Sequence, residues 1–493
     1  MDAPVIVVGG GPIGLSLALG LARRGVASIV LEKRREVCDE PGAVVLWART
    51  LELVADWGLA DALCDAGTFA SALTVTDAAS RKRLLRLDFG VVDDVVARAG
   101  ALILEQPLLE RILRQRLAST GACDLRFGWE AKRLAQDDGG VDVVAFDGAT
   151  ERALRASFLA GCDGTESFVR KACGIGVEGV AYGTRAVVAD DLIEGPAGAV
   201  AEIVFVQNAP APVAAFRYAP QRWRIVAGVS RDVTDAEALS DEAHRARVAA
   251  LLGESARVET SARRLCALSR RRAQRFVDGR VALAGDAAHA FSPIGGEGVN
   301  AGVGDAANLA WKLAYAVEGR SRTASLLESY DAERRGFLND SVDRANDQIA
   351  KFVAGTGPWG RRVAIAFARR ALRGRGMQRK AARGAGMLSG RYAKSPLIDA
   401  RHPLAGRRID DLRLAGGARL AQLRDGGAAL VAVGKGAHCE ITPIVVSRPP
   451  KRWCIKRSAM LVVRPDGVVA AVVEKPTPAK IDAAWKLAFA GID

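Results

Sequence analysis

The sequence predicts an α/β chain of more than one domain, and three observations carry that reading. A β-branched run, Val5 to Val8, passes through Gly9-Gly10-Gly11-Pro12-Ile13-Gly14 into helical periodicity from Leu15 to Arg24. Two later apolar runs, Ala156 to Ala160 and Val281 to Ala284, each end in a turn bearing glycine and aspartate. Residues 176 to 274 instead show short alternating strands with polar turns between them. At 493 residues the chain is too long for one ordinary core, so two or three domains are expected.

The first segment has the order strand, tight turn, helix, which is the context that G-x-G-x-x-G requires. Gly9 and Gly11 let the backbone turn and approach a pyrophosphate, and Gly14 lets the helix pack close to the strand. Pro12 and Ile13 lie in this turn beside the helix start, whose free amides and positive dipole end favour a phosphate. A second strand, Ala27 to Leu31, ends in Glu32-Lys33, and an acid at that tip accepts hydrogen bonds from ribose hydroxyls. This Rossmann-like unit suits NAD or FAD equally. The choice falls to the later segments.

Those segments are Gly161-Cys162-Asp163-Gly164 and the run from Gly285-Asp286 through Pro293, Gly295-Gly296-Glu297-Gly298-Val299-Asn300 and on to Leu313. The three together resemble the group A flavoprotein monooxygenases, the aromatic hydroxylases similar to para-hydroxybenzoate hydroxylase and phenol hydroxylase. The resemblance covers roughly residues 4 to 345. It implies FAD as cofactor and NADPH or NADH as co-substrate, with Asp163 between flavin and nicotinamide and Asp286 on the ribityl chain. Gly295 to Gly298 gives side-chain-free backbone that a flat ring can approach, and a helix starting near Asn300 would stabilise negative charge on the reduced ring. Gln106 resembles the family's cofactor-contacting glutamine, and Arg49 its arginine near the pyrophosphate. The chain departs from the family where Pro41-Gly42-Ala43 replaces a common arginine, and where Glu297 replaces a common glutamine.

The discontinuous FAD-binding domain is assigned to residues 1–175 and 275–345. Residues 176–274, with 70–100 contributing, form an inserted β-sheet domain that the resemblance makes the substrate pocket. Trp47, Phe205, Phe216 and Tyr218 could line it, although strand aromatics are more often plain core. Residues 346–400 are a helical connection. Residues 401–493 are similar to the thioredoxin-like α/β tail of the polyketide hydroxylase branch, read as structural because Cys439 and Cys454 stand far apart.

No cysteine pair or histidine spacing suits a metal, so none is expected. The net charge of +14 reads as a general bias of an Ala-, Arg-, Gly- and Val-rich composition. No nucleic-acid partner is expected. The basic stretch from Arg361 to Arg383 reads as a solvated helix face, with loose membrane contact the lesser alternative. No apolar run reaches the roughly 20 residues of a spanning helix, and the start lacks a basic signal region, so a cytoplasmic enzyme without stable membrane insertion is the expectation. A homodimer is left open.

The resemblance implies that NAD(P)H reduces FAD, dioxygen is captured as a flavin C4a-hydroperoxide, and one oxygen passes to a phenolic or polycyclic aromatic substrate. The cofactor carries that chemistry, so no side-chain nucleophile is demanded, and Pro293 would shape the oxygen side of the pocket. The alternatives are an FAD-dependent reductase of the same fold, a flavin-dependent halogenase, whose Trp-x-Trp-x-Ile-Pro motif is absent, and a non-catalytic flavin-binding sensor.

Overall fold

The computed structural model describes residues 4–37, 42, 45–194, 202–207, 212–230, 232–253, 256–291, 296–339, 358–434, 441–456 and 458–491, without the side chains of 358, 359, 361 and 362. Pro293, Gly295 and Cys439 lie outside the described residues.

The founding sheet has six strands in the order Val277–Asp278, Val281–Leu283, Phe158–Gly161, Val5–Val8, Ser28–Glu32, Cys123–Phe127. All neighbours run parallel except the first pair. The inner strands are wholly buried, which explains why they read as continuous apolar runs rather than alternating ones. Because these strands are parallel, their carboxyl ends gather Gly9, Glu32, Cys162 and the turn after Leu283 at one edge, where open α/β sheets bind ligands. Helix Pro12–Ala22 packs against helices Gln106–Ala118 and Gly298–Val317.

An eight-stranded sheet stands beside this domain, in the order His289–Ala290, Arg257–Ala273, Val177–Glu194, Arg222–Val229, Val213–Ala219, Ile203–Gln207, Ala72–Asp77, Arg83–Asp88. It draws on residues 72–88 as well as 177–273. Its two longest strands are 18 and 17 residues, so the middle of the chain is not made of short strands alone.

The last domain is a four-stranded sheet, Ile444–Val446, Ala429–Val433, Ala459–Val463, Val469–Glu474, packed with helix Pro478–Ala488. The first two neighbours are parallel and the others antiparallel, the thioredoxin-like arrangement. A buried charge network fastens it to the domain of the six-stranded sheet. Arg464 donates to both carboxylate oxygens of Glu333 at 2.6 and 2.8 Å and to Asp466 at 2.6 Å. Lys312 donates to Glu333 at 2.9 Å, and Asn308 donates to Glu333 and Asp466. Lys312 and Asn308 belong to the helix that starts at Gly298, so this seam grips the far end of an element whose near end enters the site.

Candidate active site

A cavity of about 660 Å³ opens at the strand ends, within the usual range for a small-molecule or cofactor site. Segments from the first, second and third motifs line it together: Gly9, Gly11, Pro12 and Ile13; Cys162, Asp163 and Gly164; Asp286, Gly296, Glu297, Gly298 and Val299. Glu32, Lys33 and Gln106 also face it.

At one end the chain turns sharply. Gly9 has φ of 107°, and a Cβ on Gly14 would lie 1.9 Å from the Gly9 carbonyl oxygen, so neither position admits a side chain. Gly11 differs: its φ of −74° suits any residue, and a Cβ there would meet no protein atom within 4 Å. What Gly11 leaves open is cavity space. Helix Pro12–Ala22 begins there with no side-chain cap, so its first amides remain for a ligand.

Glu32 is buried at its strand tip and accepts from the Gly10 amide at 2.7 Å and from the Arg34 amide and Nε at 2.9 and 3.0 Å. Burial favours its neutral form, but the Arg34 hydrogen bonds prevail and hold the carboxyl below its ordinary value. The strand tip therefore presents an ionised acceptor. Gln106 donates to Glu110 at 2.9 Å while its side chain lies against Gly42.

At the other end Gly285 has φ of 61°, and a Cβ on it would approach Ile13 to 2.9 Å. Gly302 meets the same Ile13 side chain, so the first and third motifs interlock through that residue. Asp286 is exposed within a recess that opens on this cavity and on a second one, and the surrounding protein pushes its carboxyl up by desolvation, with nearby His289 opposing and Asp305 adding. Asp305 was not singled out from sequence. It is fully buried and accepts from the Gly285 amide at 3.0 Å, His289 at 2.6 Å and Arg334 at 2.6 Å, thereby fixing the turn that presents Asp286.

The third-motif helix starts at Gly298, two residues before Asn300, again without a side-chain cap. Asn300 does not face the cavity. Its Oδ1 accepts from the Trp47 amide and Thr50 hydroxyl, and its Nδ2 donates to the Val45 and Gly296 carbonyls, clamping the helix start to the strand Val45–Trp47. Glu297, half-buried, is the helix N-cap residue and lines the cavity. Asp163 lines it too, with its carboxylate accepting from Ser167 Oγ and the Val169 amide at the start of the next helix.

The sheet domain closes the remaining side with Val188, Phe216, Val226, Arg224 and Arg264. Of the four aromatics expected at the substrate, Phe216 alone lines the cavity. Trp47 packs edge-on against Phe89, Phe205 packs edge-on against Phe216 from behind, and Tyr218 is core, its phenol pushed up to about 12 by burial. Arg49 does not line this cavity either: it bonds Glu52 and the Asp466 carbonyl, joining the last domain. Arg224, unmarked by any motif, is buried and grips Asp190 with two bonds of 2.7 Å while also donating to the Gly42 carbonyl.

Two uncapped helix starts and an acidic strand tip around one cavity at the ends of a parallel sheet define a dinucleotide-binding α/β protein. Residues 2–345 match the FAD binding domain family, and the chain belongs to it. It is 32% identical over 360 residues to rifampicin monooxygenase of Streptomyces venezuelae, covering 72% of each chain. It is 31% identical over 384 residues to 3-(3-hydroxy-phenyl)propionate/3-hydroxycinnamic acid hydroxylase 1 of Burkholderia vietnamiensis, covering 75% of this chain and 59% of that one. The structure of the anhydrotetracycline hydroxylase OxyS from Streptomyces rimosus matches along 100% of both chains, with a TM-score of 0.79 and 28% identity. Among the described residues no helix is long and apolar enough to cross a membrane.

Proposed function

We propose that this chain hydroxylates a phenolic or polycyclic aromatic substrate, with FAD as cofactor and dioxygen and NADPH or NADH as co-substrates. The observation that supports it most is the convergence of two uncapped helix starts, at Pro12 and Gly298, on a cavity whose sheet wall sets Val188, Phe216 and Val226 beside Arg224 and Arg264. When bound, FAD would accept hydride from the nicotinamide and supply the redox chemistry that activates dioxygen.

The chain's own groups bind, orient and exclude water. The amides after Gly11 would hold the pyrophosphate, Glu32 a ribose, and Asp286 a ribityl hydroxyl. The helix at Gly298 opens its positive end on the cavity and would favour negative charge on a ring system held there. Val188, Phe216 and Val226 would hold the aromatic substrate and keep water from the reacting face. Arg224, fixed by Asp190, stiffens the Gly42 side of that wall.

A panel of phenols and fused-ring aromatics, scored together for NAD(P)H oxidation and oxygenated product, tests the reading. Product formed in step with NAD(P)H consumption is the expected result. Rapid oxidation unaffected by every aromatic, with no oxygenated product, would assign the chain to flavin reductases instead.

A further inference from the structure

The positive charge of the chain is not spread along it. Residues 348–398 contain twelve lysines and arginines and no aspartate or glutamate, against a net charge of +14 for the whole chain. The rest is close to neutral. A general composition bias therefore does not explain the excess.

The described part of this segment folds as two consecutive helices, Pro358–Ala371 and Arg375–Ala385. Ile365, Ala368 and Leu372 share one face of the first helix and are half-buried. Leu372 and, from the second helix, buried Ala382 pack into the core of the sheet domain that holds Phe89 and Val92. The opposite face of the first helix carries Val363, 48% exposed, and Phe367, 74% exposed, and the second helix adds Met377 at 45%. Arg369, Arg370, Arg373, Arg375 and Lys380 are exposed around them and make no ion pair among the described residues. By contrast Arg379 and Arg383 are tied inward to Asp94 and Asp410. The inner face is thus already satisfied, and the outer one combines bulky apolar side chains with unneutralised cations.

We infer that this outer face docks on an anionic phospholipid surface. A helix lying in the headgroup layer needs apolar side chains to sink toward the acyl boundary and arginines to meet lipid phosphates, and both occur here on one side. A second copy of this chain is a poor occupant, because a two-fold contact would bring the same cations face to face. Nucleic acid would engage the arginines, but of the three exposed apolar side chains Phe367 alone offers a ring on which a base could stack, while Val363 and Met377 suit acyl chains and not bases. The inference is independent of the catalytic reading.

The full chain is sedimented with vesicles of phosphatidylcholine alone and of equal parts phosphatidylcholine and phosphatidylglycerol, at low and high salt. Binding to the anionic vesicles only, weakened by salt, is expected. Arg369→Gln with Arg370→Gln should lower partitioning about 30-fold, from about fivefold for each basic residue at the surface. Phe367→Ser, which changes no charge, should lower it about tenfold. All three side chains are exposed, so thermal melts should match wild type. No binding to anionic vesicles at low salt, or equal binding by wild type and both variants, overturns the inference. So does a preference for duplex DNA over the vesicles, or a wild-type dimer that Phe367→Ser dissociates while vesicle binding is absent.

Discussion

The cofactor cavity and the seam to the last domain solve opposite problems with opposite materials. The cavity is arranged around backbone features, namely glycine turns, two open helix starts and the ends of parallel strands, with side chains such as Glu32, Asp163 and Phe216 between them. The seam is made of side chains, with Glu333, Lys312, Arg464 and Asp466 all buried among one another. The first must admit a ligand, so its two helix starts carry no side-chain cap. The second must close, so each charge needs an opposite charge beside it. Substitutions should divide accordingly, with seam variants changing stability and cavity variants changing cofactor affinity.

The largest effect is expected at Arg464. Arg464→Ala would leave Glu333 and Asp466 buried without their shared cation, a loss of about 3–5 kcal/mol that denaturant unfolding would register. A loss below about 1 kcal/mol would show that the seam carries little of the fold.

Lys312 gives the seam a pH signature. Burial lowers its ammonium to about 8, against the attraction of Glu333, from an ordinary value of 10.5. Between those values the unfolded chain binds more protons than the folded one, so stability should rise with pH, by up to about 1.4 kcal/mol per unit. The benefit is full above 10.5 and lost as pH falls through 8. Lys312→Met should flatten this rise in unfolding experiments across that window, and an unchanged rise would assign it to other groups.

Much of the cavity was legible in the sequence because backbone geometry leaves a local mark. Gly9, Gly14 and Gly285 announce themselves, since a Cβ at Gly9 or Gly14 would strike backbone and one at Gly285 would crowd Ile13. The seam left no such mark, because its partners lie far apart in sequence and each alone reads as a surface charge; Arg464 and Glu333 are 131 residues apart. The Arg49 bond to the last domain was hidden for the same reason: a helix-start arginine reads identically whether it faces a phosphate or the Asp466 carbonyl. Strand alternation shows that Phe205 and Phe216 lie in a sheet, but not which layer covers each side. Asn300 was found as a motif residue, and the four hydrogen bonds of its side chain make that side chain a clamp on the helix start.

On the cavity side, Asp286→Ala should weaken FAD binding by about 1–3 kcal/mol, as a ribityl hydroxyl loses its acceptor. Fluorescence titration of the apoprotein measures this, and unchanged affinity would place Asp286 outside the contact. A smaller effect is expected at Glu297, which lines the cavity beside the helix start. Glu297→Gln should raise the flavin midpoint potential by tens of millivolts at low salt, by removing a negative charge near the reduced ring. A shift under about 10 mV would leave the helix end as the main local influence.

Gly11 offers the most direct test of the cavity as the cofactor site. Its backbone is extended and a Cβ there meets no protein atom, so Gly11→Ala and Gly11→Val should leave the apoprotein's melting temperature unchanged. Each should nevertheless lower FAD affinity, valine more than alanine, because the added carbons occupy the space above the helix start where the pyrophosphate would lie. FAD titration of the three apoproteins decides the matter: a graded loss of affinity at constant stability is the expected result, and equal affinities would mean that the cofactor does not pass over Gly11.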